Sequence, residues 1–200
     1  MSTAGLLLAA GAGRRMGRPK SLLRDEHDVP FLDRAVGRLL DSGCEQVTVV
    51  LGAAADEARL LLDEAGWSAD PAVEAVVAED WEEGMGASLR RGLTALRDGP
   101  ADAALVMLVD LPDVHVEVLR RVLDAAAAPR RRSLVRASYA GRPGHPVLLG
   151  RDHWADVVAT ARGDQGARSY LDMHAAEPCE CGDLAGGRDV DRPEDLSPRG

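Results

Sequence analysis

The chain has 200 residues, 46% of them hydrophobic and 28% charged, with a formal net charge of −9. This size and composition are typical of one α/β domain, which we place at 1–197 with a disordered tail at 198–200, and the acidic balance argues against a nucleic-acid partner. Because no apolar run approaches the about 20 residues that cross a bilayer, we expect a cytoplasmic protein without membrane contact.

Apolar runs alternate with amphipathic segments along the first two thirds of the chain. Aliphatic and β-branched runs predict strands at 5–10, 46–51, 72–78 and 103–109. A helical apolar period predicts helices at 31–40, 53–65, 87–96 and 114–128. Continuous apolar strands separated by helices predict a mostly parallel sheet covered on both faces, a Rossmann-like three-layer α/β sandwich.

The last third of the chain is less regular. Segments 133–139 and 146–149 are predicted as strands on either side of a loop at 141–145, which contains two glycines and a proline. Segments 152–161 and 167–174 are predicted as helices. Since no linker-like segment divides the chain, we expect a single domain.

A glycine-rich loop follows the first predicted strand. Leu8 to Lys20 reads LAAGAGRRMGRPK, with four basic side chains among its glycines. Binding sites in parallel sheets lie at the carboxyl ends of strands, and glycines allow backbone N–H groups to approach a ligand. Lys20 is the only lysine beside 23 arginines, and a compact ammonium fits between phosphate oxygens. The loop therefore predicts a triphosphate site.

A nicotinamide-dinucleotide loop is the alternative at this position. The glycines stand at 11, 13 and 17, one residue too far apart for G-x-G-x-x-G, and Pro19 interrupts the helix that should follow. The second strand ends VVLGAA, without the acidic residue that holds a ribose. These differences argue against a dehydrogenase.

Two further segments carry candidate site residues. Asp110 directly follows the fourth predicted strand, and a carboxylate there suits Mg²⁺. The alternative role, capping the next helix, fits Asp113 better. In WEEGMGASL, Gly84 and Gly86 form a turn before a helix that carries Ser88 early in its sequence. A simple helix cap remains the alternative for this segment.

The motif L-A-A-G-x-G-x-R-M-G-x-x-K resembles the signature of nucleotidyltransferases with a glycosyltransferase-A-like fold. Together with WEEGMGASL, the strings GRPGHPVLL, GDQGAR and DVDRPEDL resemble the molybdopterin nucleotidyltransferases, most closely their cytidylyltransferase branch. The resemblance implies Mg²⁺-dependent transfer of CMP from CTP to the phosphate of a molybdopterin-type acceptor, with release of pyrophosphate. It also implies a molybdoenzyme or its chaperone as a protein partner.

The resemblance also implies roles for individual residues. The catalytic residues are Arg15, Lys20 and Asp110, and the acceptor lies beside Gly144 and His145. The metal is held by Asp110 and by Asp191, with Asp189 left open as the alternative to Asp191. The nucleotide contacts are Leu8, Ala9, Ala10, Gly11, Gly13, Arg15, Lys20, Gly84 and Ser88.

The choice of nucleotide and of reaction leaves alternatives. In the family, an L-A-A-G loop accompanies cytidine and L-A-G-G accompanies guanosine, so Ala10 favours CTP over GTP. Relatives often carry Asn-Pro where Ala78-Glu79 stands here, which leaves the base contacts in that segment open. The other functions considered are a guanylyltransferase or another small-phosphate nucleotidyltransferase, a pyridine-dye oxidoreductase, and a non-catalytic module for cofactor insertion.

Overall fold

The computed structural model describes residues 2–196, and the tail expected at 198–200 lies outside the described residues. The strands within this range are β1 (Thr3–Ala9), β2 (Gln46–Leu51), β3 (Val73–Val77), β4 (Ala103–Leu108), β5 (Leu134–Tyr139), β6 (Arg142–Gly150) and β7 (Glu177–Glu180). The α-helices are α1 (Phe31–Asp41), α2 (Ala55–Glu64), α3 (Met85–Leu96), α4 (Val116–Asp124), α5 (Trp154–Thr160) and α6 (Arg168–Met173). No helix in the described part is long and apolar enough to cross a membrane.

All seven strands form one sheet in the order β3-β2-β1-β4-β6-β5-β7. The pairs β1–β2, β1–β4, β2–β3 and β5–β7 are parallel, whereas β6 is antiparallel to both β4 and β5. One strand therefore runs against the other six, and the predicted mostly parallel sheet is confirmed.

Helices cover both faces of the sheet. One core cluster joins the sheet to α1, α2 and α4, and a second joins its other face to α3, α5 and α6. Leu7 belongs to the first cluster, while its neighbours Leu6 and Leu8 belong to the second. Every residue of β1 is buried, because a central strand covered on both faces has no solvated side.

The predicted loop at 141–145 was wrong. Strand β6 begins at Arg142, which pairs with Tyr139 of β5. The hairpin turn is only Ala140 and Gly141, with φ angles of 51° and 75°. Positive φ at both central residues is typical of the two-residue turns that match strand twist. Pro143 and Gly144 thus lie within a strand, and only Gly141 lies in the turn.

The chain order places the site between β1 and β4. From β1 the chain passes to β2 and β3 on one side, and it then crosses to β4 on the other side. The crevice outside the carboxyl ends of two such strands is the ordinary ligand site of this architecture. The glycine-rich loop leaves β1 here, and Asp110 follows β4.

Candidate functional site

The glycine-rich loop folds back on itself beyond β1. Gly13 has φ of 59°, and a Cβ added there would overlap the carbonyl oxygen of Arg18. Only glycine combines this backbone conformation with so close an approach. The fold of the loop brings Lys20 back over the end of β4.

Lys20 lies between two carboxylates from distant parts of the chain. Its ammonium donates to Asp110 Oδ2 and, at 2.6 Å, to Asp191 Oδ1. Arg15 Nη1 donates to the other oxygen of Asp191 at 3.1 Å. The structure thus brings the three predicted catalytic residues and Asp191 together.

Ion pairing in this group favours the charged forms of Lys20 and Asp191, whereas burial raises the pKa of Asp110 above its usual value. Burial works against the ammonium of Lys20, but Asp110 and Asp191 outweigh it and raise the pKa of the lysine above its usual value. The hydrogen bond from Lys20 and the nearby Arg15 lower the pKa of Asp191. Lysine and carboxylate are therefore both charged at neutral pH.

A third aspartate completes the acidic group. Asp110, Asp189 and Asp191 each offer one carboxylate oxygen, and these oxygens lie within 4.8 Å of one another. The backbone N–H of Val190 donates to the carbonyl of Asp110 at 2.9 Å, which holds the C-terminal segment against the end of β4. Among residues 2–196, Asp110 Oδ1 is buried without a hydrogen-bond partner. Three carboxylates and an unpaired buried oxygen fit a hard divalent cation.

A cavity of about 500 Å³ opens beside this group, and we name it the nucleotide cavity after the predicted nucleotide contacts that line it. The loop forms one wall, and the segment from Trp81 to Ser88 forms the opposite wall. The predicted nucleotide residues that line it are Leu8, Ala10, Gly11, Gly13, Arg15, Lys20, Gly84 and Ser88. Ala9 does not line it, because its side chain points to the opposite face of β1 and is 1% exposed in the core.

The wall opposite the loop is held by contacts that the sequence did not reveal. Gly84 has φ of 121°, and a Cβ there would lie 2.5 Å from Asp164 Oδ1. Arg90 binds both carboxylate oxygens of Glu83, at 2.8 and 2.6 Å, and Asp80 at 2.7 Å. We therefore assign Arg90 a positioning role. No local sequence signal marks it, although the GDQGAR string does contain Asp164.

A second cavity of about 320 Å³ adjoins the first, and we name it the side cavity. Leu8, Met85 and Asp164 line both cavities. His145 lines the side cavity, and its burial, together with the charge of Arg136, lowers its pKa to about 4. The imidazole is therefore neutral at neutral pH and can donate or accept a hydrogen bond.

The structure also locates Gly144 and Asp113. Gly144 does not line the side cavity but packs under Tyr139, where a Cβ would lie 2.8 Å from the ring. The suggestion that Asp113 caps the following helix was wrong. Helix α4 begins later, with His115 at its cap, and Asp113 Oδ2 instead accepts from the N–H of Gly186 at 2.9 Å.

The sequence is similar to a known protein family. The model of the MobA-like NTP transferase domain matches residues 5–178. The chain belongs to this family. Nicotine blue oxidoreductase of Paenarthrobacter nicotinovorans is 33% identical over 200 residues, which cover 96% of this chain and 93% of that protein.

Solved structures agree with the family assignment. An rv0371c homologue from Mycobacterium sp. strain JC1 has a TM-score of 0.80 at 26% identity, covering 96% of this chain and 92% of that one. Rv0371C of Mycobacterium tuberculosis H37Rv, solved in complex with manganese, has a TM-score of 0.66 at 29% identity, covering 90% and 88%. The glycosyltransferase-A-like nucleotidyltransferase fold is confirmed. This MobA-like chain is a nucleotidyltransferase, and its substrate is a nucleoside triphosphate.

Proposed function

We propose that this MobA-like enzyme transfers CMP from CTP to the phosphate of a molybdopterin-type acceptor, with Mg²⁺ as its cofactor. The observation that carries the proposal is Lys20, which lies between Asp110 and Asp191 at the edge of the nucleotide cavity. A lysine, a glycine-rich loop and an acidic group at one cavity edge meet the needs of a metal-bound triphosphate.

The aspartates and the basic residues have separate tasks. Asp110, with Asp189 and Asp191, would hold Mg²⁺, which when bound supplies positive charge to phosphate oxygens. Lys20 has three donors, and two of them bind Asp110 and Asp191. The third is left for a phosphate oxygen. Arg15 is 76% exposed at its side chain and can move toward the triphosphate.

The reaction depends on positioning of the two substrates and not on covalent catalysis by a protein side chain. An oxygen of the acceptor phosphate attacks the α-phosphorus in line, the bond from that phosphorus to the bridging oxygen breaks, and pyrophosphate leaves. Lys20, Arg15 and the loop N–H groups neutralise the charge that develops on the phosphate oxygens. No covalent intermediate on the protein is required.

The preference for CTP is supported by the packing at the end of β1. Ala10 is 4% exposed and lies against Gly52, where an added Cβ would lie 2.7 Å from both Ala10 Cβ and Trp81 Cβ. The base of the nucleotide would therefore contact a cavity wall in which Ala10 and Trp81 leave no additional space. We propose that this wall favours a single-ring pyrimidine over the larger guanine.

The test is pyrophosphate release with CTP, GTP, ATP or UTP, each with Mg²⁺ and molybdopterin. We expect CTP to give the fastest release, and we expect Asp110→Asn to abolish it. Release that is equal with GTP would overturn the choice of base. No release with any of the four triphosphates would overturn the proposed reaction. If CTP does support release, we expect a molybdoenzyme or its chaperone to be the recipient of the product.

A pyridine-dye oxidoreductase is the second candidate, because the relative at 33% identity is named nicotine blue oxidoreductase. The loop spacing of this chain does not match a nicotinamide-dinucleotide site. Consumption of NADH or NADPH in the presence of such a dye, without pyrophosphate release, would favour this alternative.

A further inference from the structure

The side cavity contains a charged residue on a largely apolar face of the sheet. Arg136 lies in the middle of β5, on the same face as Leu134, and it pairs with Val147 of β6. Its side chain is only 12% exposed. Burial of an arginine is unfavourable unless its donors are satisfied.

Arg136 is only partly satisfied by the protein. Its Nη1 lies 3.5 Å from Asp172 Oδ1, and the side chain of Asp172 is 66% exposed. Among residues 2–196, Arg136 Nε is buried and has no hydrogen-bond partner. The guanidinium therefore keeps a donor that no described protein group accepts, and the side chain of Arg136 lines the side cavity.

The other walls indicate the shape of a ligand. The apolar lining residues include Leu8, Leu89, Val106, Val147, Leu149 and Leu171. His145, Asp164, Gln165 and Arg168 provide polar groups alongside Arg136. Apolar surfaces combined with a few polar side chains suit a planar heterocycle, which has two apolar faces and a polar edge.

The position of the side cavity indicates which substrate it serves. Val106 lines this cavity, and Asp110 lies two residues beyond the end of the same strand, β4. Because Leu8, Met85 and Asp164 line both cavities, one extended molecule can reach from the side cavity to the aspartates. The nucleotide cavity already accounts for the triphosphate.

We propose that Arg136 is a specificity residue for the acceptor, which is a planar heterocycle whose carbonyl or carboxylate edge accepts a hydrogen bond from its guanidinium. The heterocycle occupies the side cavity while the phosphate of the same molecule reaches the aspartates. This inference rests on the proposed function, because it takes the ligand to be the acceptor of that reaction.

The direct test uses pterin-6-carboxylate, a fluorescent planar heterocycle with a carbonyl edge and a carboxylate. Its binding to the whole protein is measured by fluorescence anisotropy, for wild type and for Arg136→Met. We expect saturable binding by the wild type and at least tenfold weaker binding by Arg136→Met. Arg142→Met is the matched control, since Arg142 is exposed and does not line the cavity, and its affinity should stay within twofold.

A second measurement separates acceptor binding from a structural role. CTP binding in the presence of Mg²⁺ should stay within twofold in all variants, and Arg136→Met should raise the KM for molybdopterin rather than the KM for CTP. Loss of CTP affinity in parallel with probe affinity would overturn the proposal. So would equal probe binding by wild type and Arg136→Met, or the absence of saturable binding by the wild type.

Arg136→Lys covers the case in which Arg136→Met does not fold. It keeps the positive charge but lacks the planar fork of guanidinium donors, so we expect at least threefold weaker probe binding, and an unchanged affinity would overturn the proposal. The outcome is separable from that of the proposed function. If no triphosphate yields pyrophosphate but probe binding still depends on Arg136, the proposed reaction is wrong and the assigned site stands.

Discussion

Lys20 Nζ lies 2.6 Å from Asp191 Oδ1, across a sequence separation of 171 residues. The same ammonium binds Asp110 at the end of β4. A single side chain therefore connects the glycine-rich loop, the central sheet and the C-terminal segment, so a change at Lys20 affects all three at once.

Replacing Lys20 tests its role in neutralising the triphosphate. We expect Lys20→Ala to lower the rate of CTP-dependent pyrophosphate release by roughly 10²–10³-fold, the usual loss when one electrostatic contact to a developing charge is removed. Lys20→Arg should also be slow, because a planar fork does not replace a compact ammonium. Arg18→Ala is the control, since Arg18 does not line the cavity. A decrease of less than tenfold in Lys20→Ala would contradict the assigned role.

Removal of the divalent cation tests the acidic group. We expect EDTA to stop pyrophosphate release and added Mg²⁺ to restore it. Asp189→Asn and Asp191→Asn should each raise the Mg²⁺ concentration needed for half of the maximal rate, with the larger effect for Asp191→Asn, which also loses charge pairing with Lys20 and Arg15.

The comparison variant for the metal experiment is Asp98→Asn, because Asp98 is exposed and its only ion pair among the described residues is with the neighbouring Arg97. Its Mg²⁺ requirement should equal that of the wild type. If Asp189→Asn and Asp191→Asn also show the wild-type requirement, the cation does not bind at these aspartates.

Substitution of Gly13 and of Gly11 tests the backbone conformation of the glycine-rich loop. Gly13→Ala should lower the free energy of unfolding by at least ~1 kcal/mol, because it places a Cβ at positive φ and against a carbonyl. Nothing lies within 4 Å of a Cβ built at Gly11, so Gly11→Ala should leave urea unfolding unchanged. Equal stability of the two variants would show that the loop is not held in this conformation.

Glu180 is predicted to hold the hairpin between β5 and β6. Its carboxylate accepts from the Ser138 hydroxyl at 2.8 Å and from the N–H groups of Ala140, Gly141 and Gly182. The hydrogen bond from Ser138, followed by those from the three N–H groups, lowers its pKa to about 2. Glu180→Gln should therefore lower the melting temperature at pH 7, whereas Glu177→Gln, exposed on the same strand, should not.

The pH dependence of this effect follows from the direction of the shift. Because the folded-state pKa lies below the usual value of 4.5, the unfolded chain binds the proton more readily. The stabilisation is fully present above pH 4.5 and is lost as the pH falls toward 2. The difference in melting temperature between wild type and Glu180→Gln should narrow over this range. A constant difference would show that the charge of Glu180 does not contribute.

Sequence patterns predicted most of the fold because buried strands and amphipathic helices have strong periodic signals. The exception at 141–145 has a physical reason. In sequence, Gly141 and Gly144 both resemble loop residues. Gly141 does form part of the hairpin turn, but Gly144 lies within β6, where its lack of a side chain leaves space for the ring of Tyr139 from β5. Whether a glycine turns the chain or accommodates a neighbour depends on packing between strands.

Site residues could be predicted where they lie next to one another in a single segment with a recognisable pattern. The loop and Asp110 were found because each directly follows an apolar strand. Arg90 and Arg136 were not found, since their partners lie on other elements and no local pattern marks them. Asp189 and Asp191 could not be told apart by sequence, and the structure places carboxylate oxygens of both near Asp110.

The position of Asp191 has a consequence for synthesis of the protein. The sheet strands β1 to β4 are complete by Leu108, so a nascent chain has the loop and the central strands long before residue 191 is made. Until the segment carrying Asp189 and Asp191 emerges from the ribosome and packs against Asp110, the acidic group lacks two of its three members. Acquisition of the cation should thus be among the last events in the maturation of each molecule.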